Sequence, residues 1–202
     1  MDATMICKKE SIIFTTIDLI NELGIQAVST REIAKRQGIS QSAIFQYFPK
    51  KNDLILAVLE QFSQYDNDIF STAKLKNKQN GEAIRFYIES YLLYYENYPA
   101  ITSIMQAFDI FRNTPILGEK VKKIFNDRIE FLRVILVQSR DEGFLDKNVD
   151  CSILADIIFC TCRGICFRWR LYNYNFSLRD KCFKEVDMLL NIYKPRKKNI
   201  GV

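Results

Sequence analysis

The chain has 202 residues, 48% of them hydrophobic and 26% charged, with only 7 Gly and 4 Pro, an ordinary globular composition in which most of the backbone is free to be helical. Its formal charge of +5 is too mild to argue for a nucleic-acid partner on its own. Histidine is absent, which excludes a Ser-His or Cys-His nucleophile; no glycine-rich phosphate loop occurs either, and Asp141 with Glu142 reads as an exposed helix end, so no enzyme is expected.

In chain order, the start MDATMICKK has no apolar core of signal-peptide length. Uncharged runs such as Asn97 to Phe108, twelve residues, fall short of the ~18 that cross a bilayer. The expectation is a cytoplasmic protein without a membrane partner, whose six cysteines (Cys7, Cys151, Cys160, Cys162, Cys166, Cys182) stay reduced. The spacing predicts a first helix over Lys8 to Leu23, with Ile12, Ile13, Ile17, Leu19, Ile20 and Leu23 on one side and Thr15, Asp18, Asn21 and Glu22 on the other. Gly24 stands at its C-cap position. Ser29 precedes Glu32 at capping-box spacing and opens a second helix that stops at Gly38. Ser40 caps a third, which ends before Pro49, and Lys51 or Asn52 starts a fourth through Leu54, Val58 and Phe62. Beyond residue 70, Asn80-Gly81, Pro99, Asn113 with Pro115, Gly143 and Asn173 to Ser177 punctuate apolar helical patterns. The count is nine helices with no strand pattern of useful length. The first few residues and the tail after Tyr193, with Lys194, Arg196, Lys197 and Lys198, read as loose and solvated.

Charge is informative by location. Residues 1–60 hold seven basic side chains against seven acids, yet Val28 to Lys51 holds Arg31, Lys35, Arg36, Lys50 and Lys51 against Glu32 alone. In the third helix Ile44 and Phe48 are four apart and pack inward against Ile33 and Ala34, so the opposite face centres on Gln46, with Ser42 and Ala43 beside it. Small and amide side chains approach base edges closely, and Gln pairs bidentately with adenine. Gln41 reaches bases or phosphate, Arg31 reaches a base or the backbone, and Lys51 with the N-terminus of the fourth helix offers a cation and free N–H groups to phosphate. The bland alternative is a helical hairpin with a solvated basic edge.

The run STREIAKRQGISQSAIFQYFPKKNDLILAVLE resembles the N-terminal domain of the tetracycline-repressor (TetR) family of transcription regulators. The correspondence runs through Ser29, Arg31, Ile33-Ala34, Gly38-Ile39-Ser40, Ile44-Phe45, Tyr47-Phe48, Lys51, Leu54 and Leu56. The resemblance implies an all-α homodimer. A three-helix DNA-binding domain would occupy residues 1–52, with the helix-turn-helix at about 29–48, and a helical effector-binding and dimerisation domain residues 53–202. The protein would bind a palindromic operator, most simply as a repressor, until a small-molecule effector released it. Ser40, Gln41, Ser42, Ala43, Phe45, Gln46 and Tyr47 would face double-stranded DNA, Arg31 would support them and Lys51 would hold phosphate. Phe45 departs from the usual tyrosine of the family and lacks the hydroxyl that contacts phosphate, so that contact is lost or passes to Tyr47.

The rest of the chain matches the family mainly in layout. Its last two helices resemble those of the dimer bundle, and the stripes Leu154, Ile158, Cys162, Ile165, Trp169, Tyr172 and Phe183, Val186, Leu190, Tyr193 are expected to meet their symmetry mates. Tyr87, Tyr91, Tyr94 and Tyr98 follow helical spacing, as do Phe108 and Phe111. Core packing accounts for each ring singly; together, Tyr87, Tyr91, Tyr94, Phe108 and Phe111 are candidates to line an effector pocket, with Arg85, Glu89, Glu96 and Asp109 to fix a polar group. No cofactor or metal is expected. The alternative is a thiol- or metal-sensing regulator built on Cys160, Cys162 and Cys166, although Cys160 lies nearly opposite Cys162 and a metal site would need further cysteines brought in by the fold.

Overall fold

A computed structural model describes residues 3–75 and 81–195, and side chains from residue 8 onward. Asn80, Arg196, Lys197, Lys198, the first two residues and the Cys7 side chain, all named above, lie outside the described residues. The fold is all-α: α1 (Ala3–Leu23), α2 (Thr30–Gln37), α3 (Gln41–Tyr47), α4 (Lys51–Phe62), α5 (Asp66–Leu75), α6 (Glu82–Asn97), α7 (Ser103–Gln106), α8 (Phe108–Phe111), α9 (Pro115–Asp141), α10 (Cys151–Leu171) and α11 (Leu178–Ile192). Among the described residues there is no strand, and no helix is long and apolar enough to cross a membrane.

Among the described residues there are eleven α-helices against the expected nine, because a break at Ser63 lacks a strong sequence signal and the segment that Pro99 opens divides into short pieces. At the first, Ser63 bends its Oγ back to the Leu59 carbonyl at 2.9 Å, ending α4 before Asp66 opens α5. At the second, Pro99 has no N–H to continue the ladder, and Thr102 Oγ1 donates to its carbonyl at 2.6 Å. A short 3₁₀ turn results (Pro99–Thr102), followed by α7 and α8. Such local side-chain bonds compete with the helix ladder.

The chain forms two compact units that do not follow chain order. One comprises the chain up to Tyr65 and Tyr98–Phe125; the other comprises Asp66–Asn97 and the chain from Asn126 onward. In the first, Ile12, Ile17 and Leu19 of α1, Ile33 of α2, Ile44 of α3 and Leu54 of α4 are fully buried. The ring of Phe108 meets Phe62 edge-on, centroids 5.5 Å apart. Two wheel assignments on α1 are corrected: Leu23 is half exposed, while Thr15 is buried because its Oγ1 accepts a hydrogen bond from Gln37. A hydroxyl with a partner is readily buried, whereas an apolar residue in the last turn overruns the core.

In the second unit Phe70 stacks on Phe131 with centroids 4.4 Å apart, and Arg85 pairs with Asp187 of α11 at 2.5 Å. Helices α10 and α11 bury Leu154, Ile158, Ile165 and Trp169 on the one side and Cys182, Val186 and Leu190 on the other. The stripes expected to meet symmetry mates are therefore mostly spent inside one chain. Cys162, Phe183 and Tyr193 are only half-buried, and Tyr172 is 57% exposed.

Candidate nucleic-acid interface

Helices α2 and α3 are short, and their ends are fixed by local chemistry. The Ser29 side chain accepts the Glu32 N–H at 3.2 Å and opens α2. Gly38 closes it at φ 64°, a left-handed conformation that glycine adopts without Cβ strain. The Ser40 hydroxyl then accepts the Ala43 N–H at 3.2 Å. Seven residues cannot sustain an isolated helix, so α3 is held from below: Ile44 is 0% and Phe48 3% exposed, alongside buried Ile33 and Ala34. Gln37 ties α2 to α1, with its Nε2 donating to Thr15 Oγ1 at 2.5 Å and its Oε1 accepting from Ser11 Oγ at 3.0 Å.

With the apolar side of α3 turned inward, Gln41, Ser42, Phe45 and Gln46 stand exposed, with Ala43 and Tyr47 half-buried beside them. Ser40, Arg31 and Lys51 are exposed around this face. Phe45 presents an apolar ring at 43% exposure. Several polar groups already have partners: Gln41 Nε2 donates to Thr30 Oγ1 at 2.7 Å, and Ser40 and Ser42 share a hydrogen bond of 2.8 Å. The Lys51 ammonium donates to the Val28 carbonyl at 3.0 Å, which aims the cation and leaves two of its three N–H bonds for other acceptors. At the start of α4 the Asp53 carboxylate takes the Lys50 N–H at 2.9 Å, so one of the end's N–H groups is committed. Arg36 pairs bidentately with Glu22 at 2.9 and 2.8 Å; the hydrogen bond from Arg36 holds the Glu22 carboxyl below its ordinary range. That pairing removes Arg36 from the supply of free cations.

The five rings nominated for an effector do not gather in one unit. Phe108 and Phe111 are buried in the first; Tyr87 and Tyr91 are buried and Tyr94 half-buried in the second. The nominated charged groups are engaged as well: Arg85 with Asp187, Glu89 with Arg179, Glu96 with the Arg179 N–H, and Asp109 with Arg112. Tyr87 and Tyr91 instead belong to a buried polar cluster. Arg128 Nε reaches both Asp66 oxygens at 3.1 and 3.0 Å, Nη2 reaches Oδ1 at 2.9 Å, and Nη1 donates to Tyr95 Oη at 3.1 Å. Tyr91 Oη donates to Asp66 at 2.8 Å, and Tyr87 Oη donates to the Arg128 carbonyl at 2.8 Å. Burial opposes the Arg128 charge, but Tyr95, Tyr91 and Asp66 outweigh it and raise its pKa. Burial likewise raises Tyr87 and Tyr91, and pushes Tyr95 up to about 12. Nothing local in the sequence marks Asp66, Tyr95 or Arg128, because Asp66 and Arg128 are 62 positions apart.

The fold brings Cys182 of α11 against Cys162 of α10, and the hydrogen bond between them, with burial, raises the Cys182 thiol. Burial pushes Cys166 up to about 12 and also raises Cys151. A raised pKa keeps a thiol protonated, and the thiolate is the form that attacks or ligates. Among the described residues no group of three or more His, Cys, Asp or Glu side chains is placed to hold a metal ion.

A capped helix pair with a left-handed glycine corner, a basic rim and a core-anchored second helix defines a helix-turn-helix DNA-binding protein within an all-α frame. Residues 12–58 match the family model for bacterial regulatory proteins of the tetR family. That match assigns the helix-turn-helix region to the DNA-binding domain of the TetR family of transcription regulators. The nucleoid occlusion factor SlmA of Haemophilus ducreyi is 25% identical to it over 174 residues, covering 84% of this chain and 83% of that one. In fold it is similar to the ketosteroid transcriptional regulator KstR2 of Mycobacterium tuberculosis, with TM-score 0.80, 15% identity, and 94% and 96% of the two chains covered. It is similar also to the transcriptional regulator FadR of Bacillus subtilis, solved in complex with stearoyl-CoA, with TM-score 0.76, 20% identity, and 90% and 97% covered.

Proposed function

We propose that this protein is a ligand-responsive repressor that binds a palindromic operator as a homodimer in the cytoplasm. Residues 1–52 form the DNA-binding domain, and residues 53–202 hold the effector and the dimer contacts. The observation that carries the reading is the exposed α3 face of Gln41, Ser42, Phe45 and Gln46, backed by buried Ile44 and Phe48 and flanked by Arg31 and Lys51. Gln46 and Ser42 read base edges with Ala43 and Tyr47 alongside, Ser40 and Gln41 stand at the helix start near the backbone, and Arg31 supports them. Lys51, aimed by the Val28 carbonyl, holds phosphate. Dimerisation is supported by an apolar surface on α10 and α11, where Ile153, Phe167, Leu171, Met188 and Ile192 are all exposed. An apolar or amphipathic effector is supported by the stearoyl-CoA complex of the Bacillus subtilis protein and by the aromatic residues of the second unit, Tyr87, Tyr91 and Tyr94 among them.

The test starts with a duplex selected from a random library by the full-length protein. Gln46→Ala should relax base preference at about one position at a cost of ~1–3 kcal/mol, and Lys51→Ala should weaken selected and scrambled duplexes alike. Equal losses of Gln46→Ala on both duplexes would remove Gln46 from the reading role. Failure to select any sequence would remove the operator itself.

A further inference from the structure

The buried polar cluster occupies a particular place along the chain. The chain passes between the two compact units three times, after Tyr65, after Asn97 and after Phe125. Asp66 is the first residue past the first passage, Tyr95 lies two residues before Asn97, and Arg128 lies two residues past Asn126. The side chains of these three residues are bonded to one another through the Arg128 guanidinium. All three covalent connections of the second unit are therefore knotted at their roots to one buried cation.

We propose that the Asp66–Tyr95–Arg128 cluster is the relay through which an occupant of the second unit changes DNA binding by the first; the proposal rests on the ligand-responsive regulator described above. Three physical points support it. The contacts share the Asp66 carboxylate and the Arg128 guanidinium, so displacing either group weakens several hydrogen bonds of 2.8–3.1 Å at once. Breaking them is costly, because the Asp66 and Arg128 side chains are only 11% and 5% exposed and a separated charge there lacks solvent. Energetic coupling requires an element with two discrete arrangements, which here would be the intact and the opened cluster. The cluster also has an input, since Tyr91 bonds Asp66 and Tyr87 bonds the Arg128 carbonyl, and both sit on α6 among residues nominated for effector contact. A ligand that shifts α6 there would move Asp66 and Arg128 together, and with them the start of α5 and the middle of α9.

Linkage is reciprocal, so bound DNA must act on the second unit through the same cluster, which allows a test without knowing the effector. Hydrogen exchange of the full-length protein is measured with and without the selected duplex. The wild type should change exchange in α5, α6 and α10 by about fivefold or more, the lower end of an ordinary coupling. In Asp66→Leu/Arg128→Met, which replaces the ion pair without leaving an orphan charge, the duplex should still bind while that change disappears. Tyr95→Phe removes only the Nη1 to Oη bond and should reduce the change in part, so a double variant that fails to fold leaves this one to decide. Unaltered transmission in whichever of these variants folds would overturn the relay. So would a wild type whose second unit does not respond to bound DNA, and that result would leave the DNA-binding role standing. A wild type that selects no duplex would remove that role and the relay together.

Discussion

Charging the exposed face of the last two helices should split the dimer without unfolding the chain. Leu171 is 63% exposed and Met188 60% exposed. Full burial of such a side chain is worth ~1.5–3 kcal/mol, so covering the exposed fraction recovers ~1–2 kcal/mol each. In an isologous contact every residue counts twice. The double variant Leu171→Glu/Met188→Glu therefore forfeits about 4–8 kcal/mol before any cost of desolvating the carboxylates, which weakens the dimer by roughly 10³- to 10⁶-fold. Sedimentation equilibrium at micromolar concentration should show wild-type dimer and variant monomer, with circular dichroism unchanged and palindrome binding lost. The same charges at Ile165 and Leu190 should unfold the protomer instead, since those residues are 4% and 3% exposed. A wild type that sediments as a monomer yet binds a palindrome tightly would refute the reasoning, as would a double variant that stays dimeric.

Phe45→Tyr should tighten binding to the selected duplex by ~1.5–3 kcal/mol at most, the value of a hydrogen bond to a charged group; weaker binding in a titration would mean the exposed ring makes an apolar contact. At alkaline pH the buried tyrosines should destabilise the fold. With Tyr95 raised from 10.0 to about 12, the unfolded chain releases its proton first, so stability is intact below pH ~10 and declines as pH rises toward ~12, by about 3 kcal/mol from this residue. Denaturant titrations of Tyr95→Phe across that range should show a shallower decline, and an unchanged slope would count against the buried assignment.

Much of the fold was legible because its signals are local. Ser29, Gly38 and Ser40 act within four residues of where they stand, and the 100° period that turns Ile44 and Phe48 inward leaves positions 42, 45 and 46 outside. The second unit was less legible for two physical reasons. An apolar stripe says that one side of a helix is covered but not by what, so the spacing of Ile165 and Leu190 fits a symmetry mate as well as their own chain, which buries them. The Asp66–Arg128 pair joins residues 62 apart, and no periodicity links a single acid on one helix to a single base on another. Thr15 shows the same limit on a smaller scale, since its burial depends on Gln37 arriving from α2.

Helix α3 divides its labour between two sets of positions. Ile44 keeps the helix docked, Phe48 secures its end and Ser40 caps its start, while Gln41, Ser42, Phe45 and Gln46 are exposed. Exchanging those four outward residues leaves the core, the cap and the corner at Gly38 as they are. A lineage carrying this domain can therefore drift from one target sequence to another without passing through unfolded intermediates. A library randomised at the same four codons should yield folded members at high frequency, whatever sequences they select.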